Sequence, residues 1–321
     1  MANHGSREVF LLDRTGGLVR TIGGEGEGPG EFEMVRFARS FRGDSILAWD
    51  SLIRRGSVFG PGGEHVRTIR APEEAFGHRP VDVTAVFPDG TLLAYSPSRA
   101  DRLARGFYAN HLLTLSPDGE PLSEIAELPA GACASAESCH IGWFGAFAAQ
   151  APGVSDVYHG YPAERYEIAR YGRDGRLKAL IRREWTPIPI TDATIQSYER
   201  YVLDNDPDAS EEAIRRAVER QDVPPHMPAF AMEMAVDAAR NLWVREYETA
   251  APVFHSYRNI PEMRSGDTSP WSVFDDGGGW LGVVRLPSRL RVTQIGEDFV
   301  LGVHTDDLGI ETVRTYALDR G

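Results

Sequence analysis

The chain has 321 residues, a formal net charge of -13, 42% hydrophobic residues, 33 glycines and 21 prolines. An acidic chain without a Lys/Arg cluster is a poor binder of nucleic acid, so we expect no nucleic-acid partner. No apolar run approaches the length that spans a bilayer, which argues against a membrane span in this chain. The glycine and proline content instead favours many short strands joined by tight turns.

The segment GGEGEGPGEF, from Gly23 to Phe32, contains five glycines and three glutamates. A phosphate-binding loop needs glycines at G-x-G-x-x-G spacing between a strand and a helix, or a closing Gly-Lys-Ser/Thr. No lysine closes this segment, its carboxylates repel phosphate, and the residues after Phe32 are strand-like. We therefore interpret it as a connector between strands, with Phe32 packed between neighbouring sheets.

One pattern recurs along the chain: a large apolar residue, a glycine four positions later, and apolar residues near position seven and at position ten. Its copies are LDRTGGLVRTI from Leu12, FGPGGEHVRTI from Phe59, LSPDGEPLSEI from Leu115, YGRDGRLKALI from Tyr171 and FDDGGGWLGVV from Phe274. Each copy predicts a hairpin whose glycine supplies the positive φ of the turn. A second hairpin, such as VDVTAVFPDGTLLAYS, lies between copies. Together they make a four-stranded unit of roughly fifty residues, which is typical of propeller blades.

The order GEGPGEF, a hairpin and then WDSLIRRGSVFGPGGEHVRTI resembles an NHL-type repeat. Over nearly its whole length, most clearly at 26–69 and 241–320, the chain resembles a bacterial family of six-bladed β-propellers found as secreted proteins or lipoproteins. The resemblance implies an all-β, six-bladed propeller of four-stranded blades, one domain spanning residues 1–321. It also implies an extracytoplasmic location, and it brings no assigned reaction.

With strands named A to D from the propeller axis outward, the sequence supplies six C strands, five D strands and five A–B hairpins. The first blade is then incomplete, because residues 7–23 predict a C–D hairpin without its A–B partner. We expect a segment before Met1 to hold a targeting signal and the missing strands of a six-bladed ring. A five-bladed ring closed by the N-terminal hairpin is the alternative.

In a propeller the A–B and C–D turns lie on one face, and the D–A linkers and B–C loops lie on the other, which we call the loop face. Turns of the first kind are short here, whereas the second kind includes residues 23–34, 70–80, 96–108, 129–140 and 247–270. Long loops on a rigid scaffold are usual binding sites, so we predict one working face at the mouth of the axial channel. The polar residues predicted to bind ligand there are Arg36, Arg79, His140, His226, Arg245, Glu246 and His304.

The largest insertion, residues 186–229, lies on the loop face and predicts a helical hairpin. Ile195, Tyr198 and Val202 share one helical stripe, and Ser210 is a favourable N-cap for a second helix. Two interpretations fit this pattern: a lid or partner-docking arm, and a packed decoration that seals two blades.

Cys133 and Cys139 are the two cysteines of the chain, with five residues between them. The spacing allows a small disulfide loop, and two free thiols in a surface loop are the alternative. Zinc fits poorly at this pair, since only His140 is adjacent and no second pair exists. A disulfide would agree with an oxidising compartment.

Arginine and histidine side chains at a channel mouth suit a small anionic molecule, a glycan or an acidic peptide end. The sequence contains neither G-x-S-x-G nor H-E-x-x-H. Our leading hypothesis is a noncatalytic ligand- or protein-binding propeller, monomeric and without a cofactor.

The alternative is a hydrolase or lyase that uses a divalent metal in the same channel, calcium in the gluconolactonase type. Its inner-strand carboxylates would be Glu233, Asp82 and Asp237. The two hypotheses differ in whether three or more carboxylates or imidazoles from different blades converge on the axis.

Overall fold

The computed structural model describes residues 1–13, 16–100, 102–135, 142–249, 266–306 and 308–319. Its strands form six antiparallel sheets, the blades of a six-bladed β-propeller, which confirms the predicted fold class. Strands that are consecutive in the chain are neighbours in each sheet. Four blades have four strands, and the first and last have three. No described helix is long and apolar enough to cross a membrane.

The strands and helices are short and follow the chain from blade to blade. The first two blades contain β1 (Ala2–Asn3), β2 (Glu8–Leu12), β3 (Leu18–Gly23), β4 (Val35–Phe41), β5 (Ser45–Asp50), β6 (Arg55–Phe59) and β7 (His65–Arg70). The next two contain β8 (Asp82–Val86), β9 (Leu92–Pro97), β10 (Phe107–Leu115), β11 (Pro121–Ala132), β12 (Ala149–Pro152), β13 (Asp156–Gly160), β14 (Glu167–Gly172) and β15 (Leu177–Arg182). The last two contain β16 (Met234–Val236), β17 (Leu242–Arg245), β18 (Thr268–Phe274), β19 (Trp280–Pro287), β20 (Leu290–Ile295), β21 (Phe299–Thr305) and β22 (Glu311–Ala317). The helices are α1 (Arg102–Arg105), α2 (Asp192–Asn205) and α3 (Glu211–Glu219).

The first blade differs from its predicted form. The sequence predicts only two outer strands there, but β1 pairs with β2 as a third, inner strand, with Ala2 opposite Val9. β1 also contacts β4 of the next blade. A strand of two residues has no alternating apolar pattern, so the sequence carries no signal for it.

The repeat glycines both close their hairpins and seat each blade on the one before it. Their φ angles of 86°, 82°, 94°, 80° and 85° belong to Gly16, Gly63, Gly119, Gly175 and Gly278, as predicted. A Cβ atom added to the last four would lie within 2.7–3.2 Å of atoms of Ile22, Ile69, Ile125 and Ile181, respectively. Those isoleucines lie ten positions after the first residue of the preceding copies and are buried. Glycine is therefore required there for conformation and for close approach.

The GGEGEGPGEF segment is a structural connector held by a buried arginine. Arg55, 5% exposed, donates hydrogen bonds to the carbonyl oxygens of Glu27 (2.6 Å), Gly28 (2.9 Å) and Glu31 (2.8 Å). Phe32 is fully buried in a cluster formed by the first two blades, and its ring centroid lies 6.2 Å from that of Phe59. These contacts agree with the connector interpretation.

The helices of the 186–229 insertion pack onto the scaffold. Ser210 caps α3, because its side chain accepts a hydrogen bond from the N–H of Ala213. Tyr198, Val202 and Ile214 are buried in one cluster with aromatic residues of the β11–β12 linker. The apolar stripes of both helices thus face the protein, which favours the packed-decoration interpretation over a lid.

Candidate functional site

The described residues among those predicted to bind ligand lie on or beside the loop face, but they do not form one cluster. Arg36 is in β4, Arg245 ends β17, and His304 is the next-to-last residue of β21. Glu246 follows β17, whereas Arg79 and His226 lie in the D–A linkers before β8 and β16. His140 and Cys139 lie outside the described residues. Cys133 is disulfide-bonded. Because Cys139 is outside the described residues, the pairing of Cys133 with Cys139 stays a prediction.

Arg36 joins two blades and remains accessible. It is the extra residue of a β-bulge in β4, because Val35 pairs with Asp50 and Phe37 with Trp49. Its Nη1 lies 3.4 Å from Oδ2 of Asp82, and its side chain is 39% exposed. Asp82 also accepts a 2.8 Å hydrogen bond from Nε1 of Trp49. Burial raises the pKa of Asp82, and the Trp49 hydrogen bond and the Arg36 charge oppose that rise.

Arg245 is part of the wall of the propeller rather than of an open site. It is 7% exposed, and its Nη1 forms an ion pair with the carboxylate of Glu233. Its Nη2 lies 3.4 Å from Oγ of Ser269 on β18. The ion pair joins the end of β17 to the residue before β16. The carboxylate of Glu233 is therefore engaged by Arg245.

Glu246 is similarly engaged. Arg183 donates to both of its carboxylate oxygens, over 2.7 Å and 3.1 Å. The Tyr166 hydroxyl donates to the same carboxylate over 3.1 Å. Burial and then the charge of Glu246 raise the pKa of Tyr166. This network links blades four and five, so Glu246 acts in this structure as an inter-blade acceptor.

The two described histidines of the predicted set differ in their surroundings. His226 contacts the ring of Trp185 edge-on, at 5.8 Å between centroids, and lines a shallow groove beside Gln221 and Asp222. His304 is half-buried, and within the described part of the chain its Nδ1 has no hydrogen-bond partner. His226 precedes the fifth blade and His304 lies in the sixth, so they belong to different parts of the propeller.

A cationic cluster that the sequence analysis missed lies on the inner strands beside the first blade. Arg39 of β4 is exposed, yet burial lowers the pKa of its guanidinium, and the nearby charge of Arg291 on β20 lowers it further. Burial lowers the pKa of His4, and the charges of Arg291 and Arg36 lower it further, whereas the charge of Glu311 raises it.

The charges of this cluster are only partly balanced. Arg36 forms an ion pair with Asp82 at 3.4 Å, and Arg291 forms one with Glu311 at 3.7 Å. The side chains of Arg291 and Glu311 are both more than half exposed. For Arg39, the described residues provide a 3.3 Å hydrogen bond to the Ala38 carbonyl and no carboxylate. In a chain of net charge -13, this is a local excess of positive charge at the inner strands. Arg291 on β20 is far in sequence from Arg36 and Arg39 on β4, which is why composition did not reveal the cluster.

The described residues near the axis do not form the carboxylate and imidazole set that the metal-dependent alternative requires. Asp82 is bonded to Trp49 and Arg36, and Glu233 to Arg245. Asp237 accepts hydrogen bonds from the backbone and side chain of Asn241, so it serves the A–B turn. The group with metal-ligand spacing in the described part of the chain is instead at the rim of the third blade.

This rim group consists of His78, His111 and Glu124. Nε2 of His78 lies 3.3 Å, and Nδ1 of His111 2.9 Å, from Oε1 of Glu124. The two imidazole rings stack with 3.4 Å between centroids and 12° between planes. A cavity of about 280 Å³ opens beside them, lined also by Arg79 and Glu127. The predicted residue Arg79 therefore belongs to this rim cavity, away from Arg36.

Comparisons with known proteins reveal the fold alone. No family model matches the chain, and no curated protein matches it. A crystal structure of a member of the DUF4221 family from Bacteroides vulgatus has a TM-score of 0.54 and 10% identity, over 97% of this chain and 86% of that one. A candidate exported protein from Bacteroides fragilis has a TM-score of 0.46 and 13% identity, over 99% and 86%. Regucalcin, a calcium-binding protein from Agrobacterium tumefaciens, has a TM-score of 0.42 and 10% identity, over 98% and 83%.

Proposed function

We propose that this protein is a binding propeller that takes an anionic ligand, with carboxylate groups, at the loop-face mouth of its axial channel. The observation that carries the proposal is the arrangement of Arg39 and Arg291. Arg36 and Arg39 on β4 and Arg291 on β20 place three guanidinium groups on the inner strands of two blades, and the described residues give Arg39 no carboxylate partner. Bringing like charges together costs free energy, and a bound anion would offset that cost.

Arginine is well suited to this task. Its planar guanidinium donates two parallel hydrogen bonds to one carboxylate, and charge-assisted bonds of this kind are stronger than neutral ones. Arg36, Arg39 and Arg291 lie on inner strands, which are rigid elements of a β-propeller, so the site needs little rearrangement to bind. A small polycarboxylate or the acidic end of a peptide has the matching chemistry, whereas a neutral glycan does not.

A panel of probes tests the ligand class. The full chain would be titrated calorimetrically with citrate, inorganic phosphate, hexaglutamate and neutral maltohexaose at low and at physiological salt. We expect the anionic probes to bind and maltohexaose not to bind, with affinity falling as salt rises, since exposed charges are screened. Binding of maltohexaose alone, or of none of the probes, would contradict an anion site.

We further propose that the protein works outside the cytoplasm. The disulfide at Cys133 supports this, because disulfides persist mainly in oxidising compartments. The test is to trap thiols with a maleimide reagent in the intact producing cells, before and after reduction. Thiols that react only after reduction agree with the proposal, and thiols that react without reduction would contradict it.

A further inference from the structure

We propose that His78, His111 and Glu124 form a binding site for a divalent transition-metal ion of the zinc type, on the rim of the third blade. This site lies outside the arginine cluster of the channel, so it stands or fails independently of the proposed anion site.

The ligand atoms are already close to the positions that a metal requires. Around a tetrahedral zinc ion, nitrogen and oxygen ligands at about 2.0–2.2 Å from the metal lie about 3.3–3.6 Å from one another. Here the two imidazole nitrogens lie 3.3 Å and 2.9 Å from the same carboxylate oxygen. One nitrogen or oxygen from each of the three residues lies within 4.8 Å of the others. A metal ion lies in the plane of each imidazole that binds it, so the two stacked rings must also rotate apart for both to bind the same ion.

The fold holds each ligand in place by a separate device. Two backbone hydrogen bonds between Ala75 and His78, of 3.0 Å and 2.9 Å, close a tight turn in the linker before β8. Phe76 and Gly77 occupy the turn with φ values of 53° and 81°. Ala75 is 3% exposed in the core between the second and third blades, so the turn is anchored where it presents His78.

A β-bulge aligns the other two ligands. His111 on β10 pairs with Glu127 on β11, and Leu113 pairs with Glu124, across a register shift that leaves Ile125 unpaired. In a regular strand, residues three apart point to opposite faces. The bulge places Glu124 and Glu127 on the face of His111, whereas Ile125 and Leu128 are buried on the other.

The donor set selects the class of metal. Two neutral imidazoles and one carboxylate suit zinc and its neighbours among the divalent transition metals, whereas calcium and magnesium prefer all-oxygen sites. Three protein ligands leave one position open, as in zinc sites that accept water or an exchangeable ligand. The adjoining cavity of about 280 Å³ gives a small ligand room to reach that position.

Glu127 lies next to the site without being one of its ligands. Its Oε1 accepts hydrogen bonds from Ser98 and Arg105, both over 2.6 Å. Its carboxylate is already paired with Arg105, so we do not count Glu127 among the ligands.

Direct titration with a metal tests the proposal. Chelator-treated full chain would be titrated with Co²⁺, whose visible absorption reports coordination, and then with Zn²⁺ in competition. We expect one equivalent of Co²⁺ to bind with a d–d spectrum and to be displaced by Zn²⁺. A wild-type protein that does not bind one equivalent would overturn the proposal.

Single substitutions locate the ion. His78→Gln, His111→Gln and Glu124→Gln should each weaken binding by at least about tenfold, since even the loss of an outer-shell partner costs that much. His65→Gln and Glu120→Gln, outside the cluster, are the matched controls and should leave affinity unchanged. Circular dichroism verifies that each variant is folded. If His111→Gln fails to fold, the more exposed Glu124→Gln gives the same test, and unchanged affinity in that variant would overturn the assignment.

Discussion

Glu246 and Glu248 lie two residues apart, and each carboxylate accepts two hydrogen bonds from a single arginine, but only the pair made by Glu246 is enclosed. Arg183 binds Glu246, whose side chain is 14% exposed, and Arg285 binds Glu248, whose side chain is 42% exposed. The geometries are similar and the environments differ. The two pairs therefore form an internal comparison of buried and exposed ion pairs.

Glu246→Ala should lower the free energy of unfolding by about 2 kcal/mol, because it leaves Arg183 and the Tyr166 hydroxyl without their enclosed acceptor. Glu248→Ala should cost less than about 1 kcal/mol, since exposed pairs contribute little. Urea unfolding of both variants measures the difference. Equal losses would contradict a structural role for Glu246.

The connector between the first two blades depends on Arg55. Arg55→Met keeps much of the side-chain volume but leaves the carbonyls of Glu27, Gly28 and Glu31 without their donor. We expect a loss of about 3 kcal/mol in the free energy of unfolding. Arg176→Met, at a side chain that is 87% exposed, is the control and should change stability by less than about 0.5 kcal/mol. A loss in Arg55→Met no larger than in the control would refute this account of the connector.

The repeat glycines predict a graded pair of alanine substitutions. Gly16→Ala meets no atom within 4 Å and should cost about 1 kcal/mol, for its positive φ alone. Gly119→Ala also places an alanine at a positive φ. In addition, its Cβ would lie 2.5 Å from the carbonyl oxygen of Arg70 in the preceding blade. It should cost roughly 2 kcal/mol more. Thermal unfolding of the two variants ranks them, and similar midpoints would argue against the blade-to-blade contact.

His159 predicts how stability changes in mild acid. Burial lowers the pKa of this histidine from 6.5 to about 4, and the side chain is 4% exposed. Because the folded pKa lies below the unfolded one, the stabilisation is fully present above pH 6.5 and is lost as pH falls toward 4. The total loss is on the order of 3 kcal/mol.

His159→Gln provides the control for this titration. Unfolding free energies of both proteins would be measured from pH 7 to pH 4, and their difference removes the contribution of all other groups. The wild type should lose its advantage over the variant as the pH falls. A difference that does not change with pH would show that His159 is not neutral and buried in the folded protein.

Local signals in the sequence predicted most of the fold. The positive φ of the turn glycines follows from the hairpin pattern, and the N-cap of α3 follows from Ser210. The burial of Phe32 follows from its place as the hydrophobic residue that ends a glycine-rich connector. β1 escaped prediction because two residues have no periodicity. The contact of Gly63 with Ile22 also escaped, since it depends on how one blade stacks on the next.

The candidate sites were harder to predict, because they depend on distances between residues remote in sequence. Arg36 was identified from its place at the start of an inner strand, but its neighbours Arg39 and Arg291 were not. Glu124 was missed for a different reason. Only the bulge at Ile125 places it on the face of His111, and a register shift leaves no mark in an apolar–polar pattern.

The measurement that tests the central claim most directly is calorimetric titration of citrate and hexaglutamate into the wild type, Arg39→Gln and Arg42→Gln. Arg42 is an exposed residue in the turn after β4, on the opposite face of the propeller, and serves as the matched charge control. We predict that Arg39→Gln weakens binding at least about tenfold, because the loss of one charge-assisted hydrogen bond costs that much. Arg42→Gln should bind like the wild type. Equal affinity in Arg39→Gln and the wild type, or an equal loss in both variants, would contradict an anion site in the channel.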